Sequence, residues 1–237
     1  MAIRFGFRWI PFVAALLAIA LGVALGQWQM RRAASKQAIE LKLNARESAS
    51  PLTLGAAPLA IDDVEYRRVQ VIGEFVGDWP VYLDNRPHLG VAGFYVLMPF
   101  RIAGSDMHVL VVRGWLPRDP ANRSKLAPIA TPSGQLQLQG VARRNPGHVL
   151  QLGQPEQLRP GAIVQNLAVA EFAQASGLRM QPLLIEQTSV VPDGLVRDWP
   201  RPSSGIDKHL GYAFQWYALA AMAFLFFLVT GFRRGTK

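Results

Sequence analysis

The sequence predicts a membrane protein: two transmembrane helices flanking a predominantly antiparallel β domain, a barrel or sandwich with one short helix, outside the membrane. Three observations predict it. Apolar residues concentrate from Trp9 to Gly26 and from Leu210 to Phe232, with no charge in either run. The residues between them form short apolar runs punctuated by Gly, Pro, Asn and Asp, the pattern of strands and turns over roughly 180 residues. The charge is unevenly spread: the formal total is +9, and the two tips carry Arg4, Arg8, Arg233, Arg234 and Lys237 with no acid. The expected layout is residues 9–27 as the first span, 28–208 as the extramembrane domain and 209–232 as the second span.

As a helix, Trp9 to Gly26 reaches about 26 Å. Ala24 and Gly26 offer the small residues of a signal-peptide cleavage site, but the run exceeds the roughly 7 to 15 residues of a signal core, so an uncleaved anchor is expected. Gly22 and Gly26 form a GxxxG pair, which lets another helix approach closely; small residues are also simply common in spans. From Arg31 to Ser50, Ile39, Leu41 and Leu43 among Lys36, Glu40, Lys42, Arg46 and Glu47 predict a polar helix that Pro51 ends.

Tyr66 to Phe75 reads as a strand with Val69, Val71 and Phe75 on one face, and Val81 to Leu83 as a short second strand. Phe94 to Ala103 and Met107 to Leu116 flank Gly104-Ser105-Asp106, the strongest hairpin signal in the chain. Val109 to Val112 does not alternate, which predicts a strand covered on both faces. Gln135 to Arg143 alternates Leu136 and Leu138 with glutamines, as a half-solvated strand does. Ile163 to Leu167 is a further strand, Val169 to Ser176 a helix closed by Gly177, and Leu183 to Gln187 the last strand. Pro192 to Gly205 is a polar connector returning the chain to the membrane.

The second apolar run begins at His209 and reaches about 34 Å as a helix, enough to cross the hydrocarbon layer. Its first turns carry His209, Tyr212 and Trp216, spaced by three and seven and therefore close together. The basic tips stay inside by the positive-inside rule, and the long loop translocates. Both spans then meet the outer interface at the same level, which puts Gln27, Trp28 and Arg31 at the depth of His209.

Composition excludes several activities. Without cysteine there is no disulfide, thiolate metal site, c-type haem attachment or thiol nucleophile. The middle takes all 16 acids, leaving it only modestly basic, and no zinc, helix-turn-helix or RNA-binding signature accompanies it, so nucleic acid is not an expected partner. GxSxG and HExxH are absent, which argues against a hydrolase. His88, His108 and His148 are isolated and read as structural or surface groups. Asp62, Asp63 and Glu65 read as a solvated turn, and Arg67, Arg68, Arg86 and Arg113 as solvated arginines on a sheet.

Several short segments, taken in order along the chain, carry a more specific signal. They are Leu25-Gly26-Gln27-Trp28-Gln29 with Arg31 and Arg32, Tyr66-Arg67-Arg68-Val69 leading to Gly73 and Phe75, and Asn85-Arg86. They continue with Gly93-Phe94, Val96 and Pro99, with Val111-Val112-Arg113-Gly114-Trp115 and Pro117, and with His209-Leu210-Gly211-Tyr212-Ala213 followed by Gln215-Trp216. In this order between two spans they resemble the surfeit locus family of cytochrome c oxidase assembly proteins, and the resemblance covers the full length.

The resemblance implies a non-enzymatic assembly factor for a haem-copper cytochrome c oxidase, whose partners are the catalytic subunit, the haem a synthesis machinery and the lipid bilayer. In bacterial members it further implies binding of haem a through the histidine opening the second span, here His209. The expected location is a bacterial plasma (inner) membrane, with both termini cytoplasmic and the central domain periplasmic. His209 is then the metal ligand; Tyr212, Trp216 and Trp28 flank the macrocycle, and Arg31, Arg32 or Lys208 meet its propionates. The plainer reading makes His209 an interfacial polar group, the aromatics belt anchors and the arginines headgroup contacts. A cofactor-free scaffold, stabilising an oxidase assembly intermediate through its domain and the face around Gly22 and Gly26, is the alternative function.

Overall fold

The computed structural model describes residues 3–5, 8–122, 125–150, 156–199 and 205–234. By internal contacts the chain divides into two compact units, residues 1–42 with 201–237, and residues 43–200.

The first unit holds the two apolar helices. Helix α1 runs unbroken from Trp9 to Ser48, so the expected span and the polar helix beyond it are one element. At 40 residues it is about 60 Å long, twice the thickness of a hydrocarbon layer. Continuity follows from residues 28–48, which contain no Pro or Gly and are rich in Ala, Leu, Lys, Glu and Arg, all good helix formers. The last apolar helix, α4, spans Ile206–Gly231, starting three residues before His209. Both helices are long and apolar enough to cross a membrane. Beyond them, β1 (Ile3–Phe5) pairs antiparallel with β10 (Phe232–Arg234).

The second unit is a closed barrel built from β3 (Arg68–Phe75), β5 (Gly93–Ile102), β6 (Met107–Pro117), β7 (Leu136–Arg143) and β9 (Arg179–Gln187). Around the ring β3 pairs with β7, β7 with β9, β9 with β6, β6 with β5, and β5 with β3. Short strands extend it: β2 (Leu52–Thr53) beside β3, β4 (Val81–Leu83) beside β5, and β8 (Ile163–Val164) beside β4. Of these pairings β6 with β9, β2 with β3 and β4 with β8 are parallel, and the rest are antiparallel. The parallel β6–β9 pair needs a long crossover, and β7, β8 and α3 (Val169–Ser176) supply it.

Closure depends on Gly73, where β3 leaves β7 and joins β5 opposite Ile102. A Cβ at Gly73 would fall on the Arg101 carbonyl oxygen. Only a residue without a side chain lets the two strands close the ring there.

The hairpin of β5 and β6 forms as expected around Gly104, whose φ of 74° is the left-handed value its turn requires. Val109, Leu110, Val111 and Val112 are each fully buried, and alternation explains it. Met107, Val109 and Val111 join Val69, Val71, Phe100 and Leu138 in one cluster, while Leu110 and Val112 turn the other way to meet Leu97, Leu184 and Phe172 of α3. Helix α3 has the predicted bounds and ends on Gly177 at φ 69°.

Four expectations need correction, the first being the strand expected at Ile163–Leu167, which is only Ile163–Val164. The strand placed at Leu183–Gln187 begins four residues earlier, at Arg179, because Gln181 is a buried strand residue whose amide bonds Gly55, Ala57 and Leu59. The segment Ile61–Val64 is a short helix, α2, and two of the three acids there have a basic neighbour: Arg144 contacts Asp62 and lies 3.8 Å from Glu65. Arg113 and Arg86 are not solvated at all, at 0% and 5% exposure.

Arg113 bonds Asp193 at 2.9 Å, Thr131 Oγ1 at 2.8 Å and the Ala130 carbonyl at 2.8 Å, with its guanidinium 4.6 Å from the Phe75 ring centre. Arg197 bonds the same Asp193 oxygen at 2.5 Å. Burial lowers the pKa of Arg113, and the Asp193 hydrogen bond opposes this. The acid ties the connector after β9 to the barrel, and Trp199 continues that tie by donating to the Gln187 carbonyl at 2.7 Å.

Candidate functional site between the two apolar helices

Within the first unit α1 and α4 pack antiparallel through faces of small residues. On α1 the buried residues are Gly22, Gly26, Gln29 and Ala33, spaced four, three and four apart, which is one helix face. On α4 Ala213 and Ala220 are buried and Trp216 is half-buried. A Cβ at Gly22 would lie 2.9 Å from Ala220 Cβ and 2.9 Å from the Trp216 carbonyl oxygen; one at Gly26 would lie 2.6 Å from the Tyr217 ring. Phe12 and Phe227, with ring centres 5.7 Å apart, continue the contact toward the other end. The GxxxG pair is therefore used inside the chain, to seat α4 on α1.

At the far end of this interface His209 meets Gln29, with Nδ1 2.7 Å from Oε1. An amide oxygen only accepts, so in this orientation Nδ1 carries the proton and donates it. The other ring nitrogen, Nε2, then presents its lone pair. Gln29 is buried at 9% exposure, which holds the acceptor in place.

The contact puts His209 level with the end of the first apolar run, as the topology argument expected. Trp216 is on the interhelical face, and Tyr212, 54% exposed, and Trp28, 46% exposed, are off it. Arg32 places its guanidinium 5.7 Å from the Trp28 ring centre, one helical turn away. Arg31 and Lys208 are exposed. Among the described residues neither Arg31 nor Arg32 pairs with a carboxylate, and no cluster of three metal-ligating side chains occurs.

Sequence reasoning missed Gln29, Tyr217, Ala213 and Ala220 as parts of this site. The spacing of Gly22, Gly26, Gln29 and Ala33 was the available signal, since a buried amide in register with two glycines marks a helix contact.

The isolated histidines behave as expected of structural groups. His108 Nδ1 lies 3.3 Å from the Arg179 carbonyl, His88 packs at a tilt against Trp115 with ring centres 5.1 Å apart, and His148 meets Asn166 at 2.7 Å.

The chain is 28% identical to a SURF1-like protein of Monosiga brevicollis over 214 residues, covering 84% of this chain and 78% of that protein. It is 28% identical to Surfeit locus protein 1 of Homo sapiens over 233 residues, covering 90% and 74%. It is also 28% identical to a SURF1-like protein of Rickettsia bellii over 215 residues, covering 87% and 84%. The family model described as the SURF1 family matches residues 16–221, from within the first apolar helix to within the last, and the chain belongs to that family.

Proposed function

We propose that this chain is an assembly factor for a haem-copper cytochrome c oxidase, binding haem a through His209 and assisting its insertion into the catalytic subunit. The observation that carries the reading is the Gln29–His209 hydrogen bond. Histidines that ligate metals generally donate their other ring N–H to a carbonyl or carboxylate, which sets the tautomer and steadies the ring. Here Gln29 does this from a different helix, and in the neutral imidazole that bond leaves Nε2 as the nitrogen with the free lone pair.

Haem supplies an iron that takes a neutral imidazole, an apolar macrocycle and two propionates that favour cations. The residues present fit. Tyr212, Trp28 and Trp216 offer aromatic surface beside the histidine-bearing end, and Arg31, Arg32 and Lys208 offer exposed cations. In this reading the chain acts by holding a cofactor and is not a catalyst. Its site is a bacterial plasma (inner) membrane, with the basic tips cytoplasmic and the barrel periplasmic, as the positive-inside rule favours. The catalytic subunit and the haem a synthesis machinery are the partners.

The cofactor-free scaffold loses one of its two docking surfaces, the face around Gly22 and Gly26, and keeps the β domain. Ala220, Trp216 and Tyr217 of α4 occupy the surface around Gly22 and Gly26. The test is co-purification from a strain unable to make haem a. Loss of the oxidase subunits from the purified protein is expected, and retention at the level of the parent strain would favour the scaffold.

A further inference from the structure

Within the β domain a cavity of about 300 Å³ opens beside Arg86, Tyr95, Arg143 and Glu186, with Pro87 and Val149 as apolar wall. Asn85, at φ 60°, turns the chain at the end of β4. The backbone of Arg86 is then fixed on both sides: its N–H donates to the Gly93 carbonyl at 3.1 Å, and its carbonyl accepts from Trp115 Nε1 at 2.7 Å.

The guanidinium is only partly satisfied. Nη2 donates to the carbonyls of Gly147 and Gln165 at 3.1 and 3.0 Å, while Nε and Nη1 have no partner. Among the described residues Arg86 pairs with no carboxylate. Arg143 Nε is 3.2 Å from Glu186 Oε2, so that pair neutralises itself. Asp84 acts on Arg86 only from beyond ion-pair distance, so a buried cation keeps two N–H groups without an acceptor, which is costly unless an anion meets them.

The same wall limits what the anion can be. Glu186 repels a second negative charge, so a monoanion fits better than a dianion. Burial raises the pKa of Tyr95, which stays a phenol and a donor. Its ring lies 5.7 Å from the Arg86 guanidinium carbon and, with Pro87 and Val149, provides apolar surface.

We propose that this cavity binds a small organic monocarboxylate, its carboxylate paired with Arg86 and its apolar body against Tyr95, Pro87 and Val149. The site is independent of haem binding.

The test uses the purified full chain in detergent at constant ionic strength, titrated calorimetrically with benzoate and, separately, with inorganic phosphate. Saturable 1:1 binding of benzoate, tighter than phosphate, is expected, weakened about tenfold or more by Arg86→Gln and by Val149→Phe. Val149→Phe fills the cavity without touching the guanidinium, and decides the matter if Arg86→Gln does not fold. Absence of saturable benzoate binding, tighter phosphate binding, or unchanged binding in Val149→Phe overturns the proposal.

Discussion

His209 and Gln29 stand 180 positions apart in the chain and meet with Nδ1 2.7 Å from Oε1. The bond joins the two apolar helices at the end where both carry their polar groups. The glutamine holds the histidine ring from its Nδ1 side. Gln29→Leu therefore weakens metal-dependent binding at His209 by about 10- to 100-fold, the usual effect of removing such an orienting partner. The measurement is the rate and extent of haem loss to an apo-globin acceptor, and Gln29→Glu, which keeps an acceptor, retains most of the binding.

The helix contact predicts a graded response at Gly22. Even a methyl would sit 2.9 Å from Ala220 Cβ and from the Trp216 carbonyl oxygen. Gly22→Leu should cost about 1 to 3 kcal/mol by overpacking, read as a shifted unfolding midpoint of the full chain in mixed detergent micelles. Gly22→Ala falls between it and the parent. A Leu variant as stable as the parent would mean that the two helices are not held by this face.

Asp193 should be among the most sensitive acids of the domain. Its side chain is 1% exposed and compensates Arg113 at 0%. Asp193→Ala leaves a buried guanidinium uncompensated and should cost about 3 to 5 kcal/mol, measured by denaturant unfolding. Replacing the whole triad, Arg113→Met, Asp193→Leu and Arg197→Met, recovers most of that loss, because an apolar set leaves neither guanidinium without its acid.

Glu186 gives the pH dependence. Burial raises its carboxyl pKa against the lowering effect of Arg143. The folded state then binds a proton more readily than the unfolded chain does. Its contribution to stability increases as pH falls from above the raised value toward the ordinary 4.5 of a glutamate, and is lost again on returning to neutral pH. Glu186→Gln removes this contribution. Thermal unfolding from pH 7 down to pH 5 should show a difference between variant and parent that changes in that sense; parallel curves would contradict the shift.

The sequence was most legible where structure is local. The β5–β6 hairpin, the half-solvated β7 and α3 with its Gly177 cap all follow from turns, alternation and caps within a few residues. The parallel β6–β9 pairing was not, because nothing near Met107 or Arg179 encodes which distant strand lies alongside. Arg113 was misread for a related reason. A charge inside Val109–Trp115 has to be either solvated or paired, and its acid lies 80 residues further on. At the candidate site His209 and Trp216 were identifiable from the sequence, whereas Gln29 was passed over because an uncharged amide at a span end looks like an interfacial group.

The most direct test of the account is the visible spectrum of the protein purified from cells that make haem a, with and without His209→Ala. The account predicts near-stoichiometric haem a in the parent protein and its loss in His209→Ala, with both proteins equally folded by circular dichroism. Equal haem occupancy in the two, or none in the parent, would contradict it.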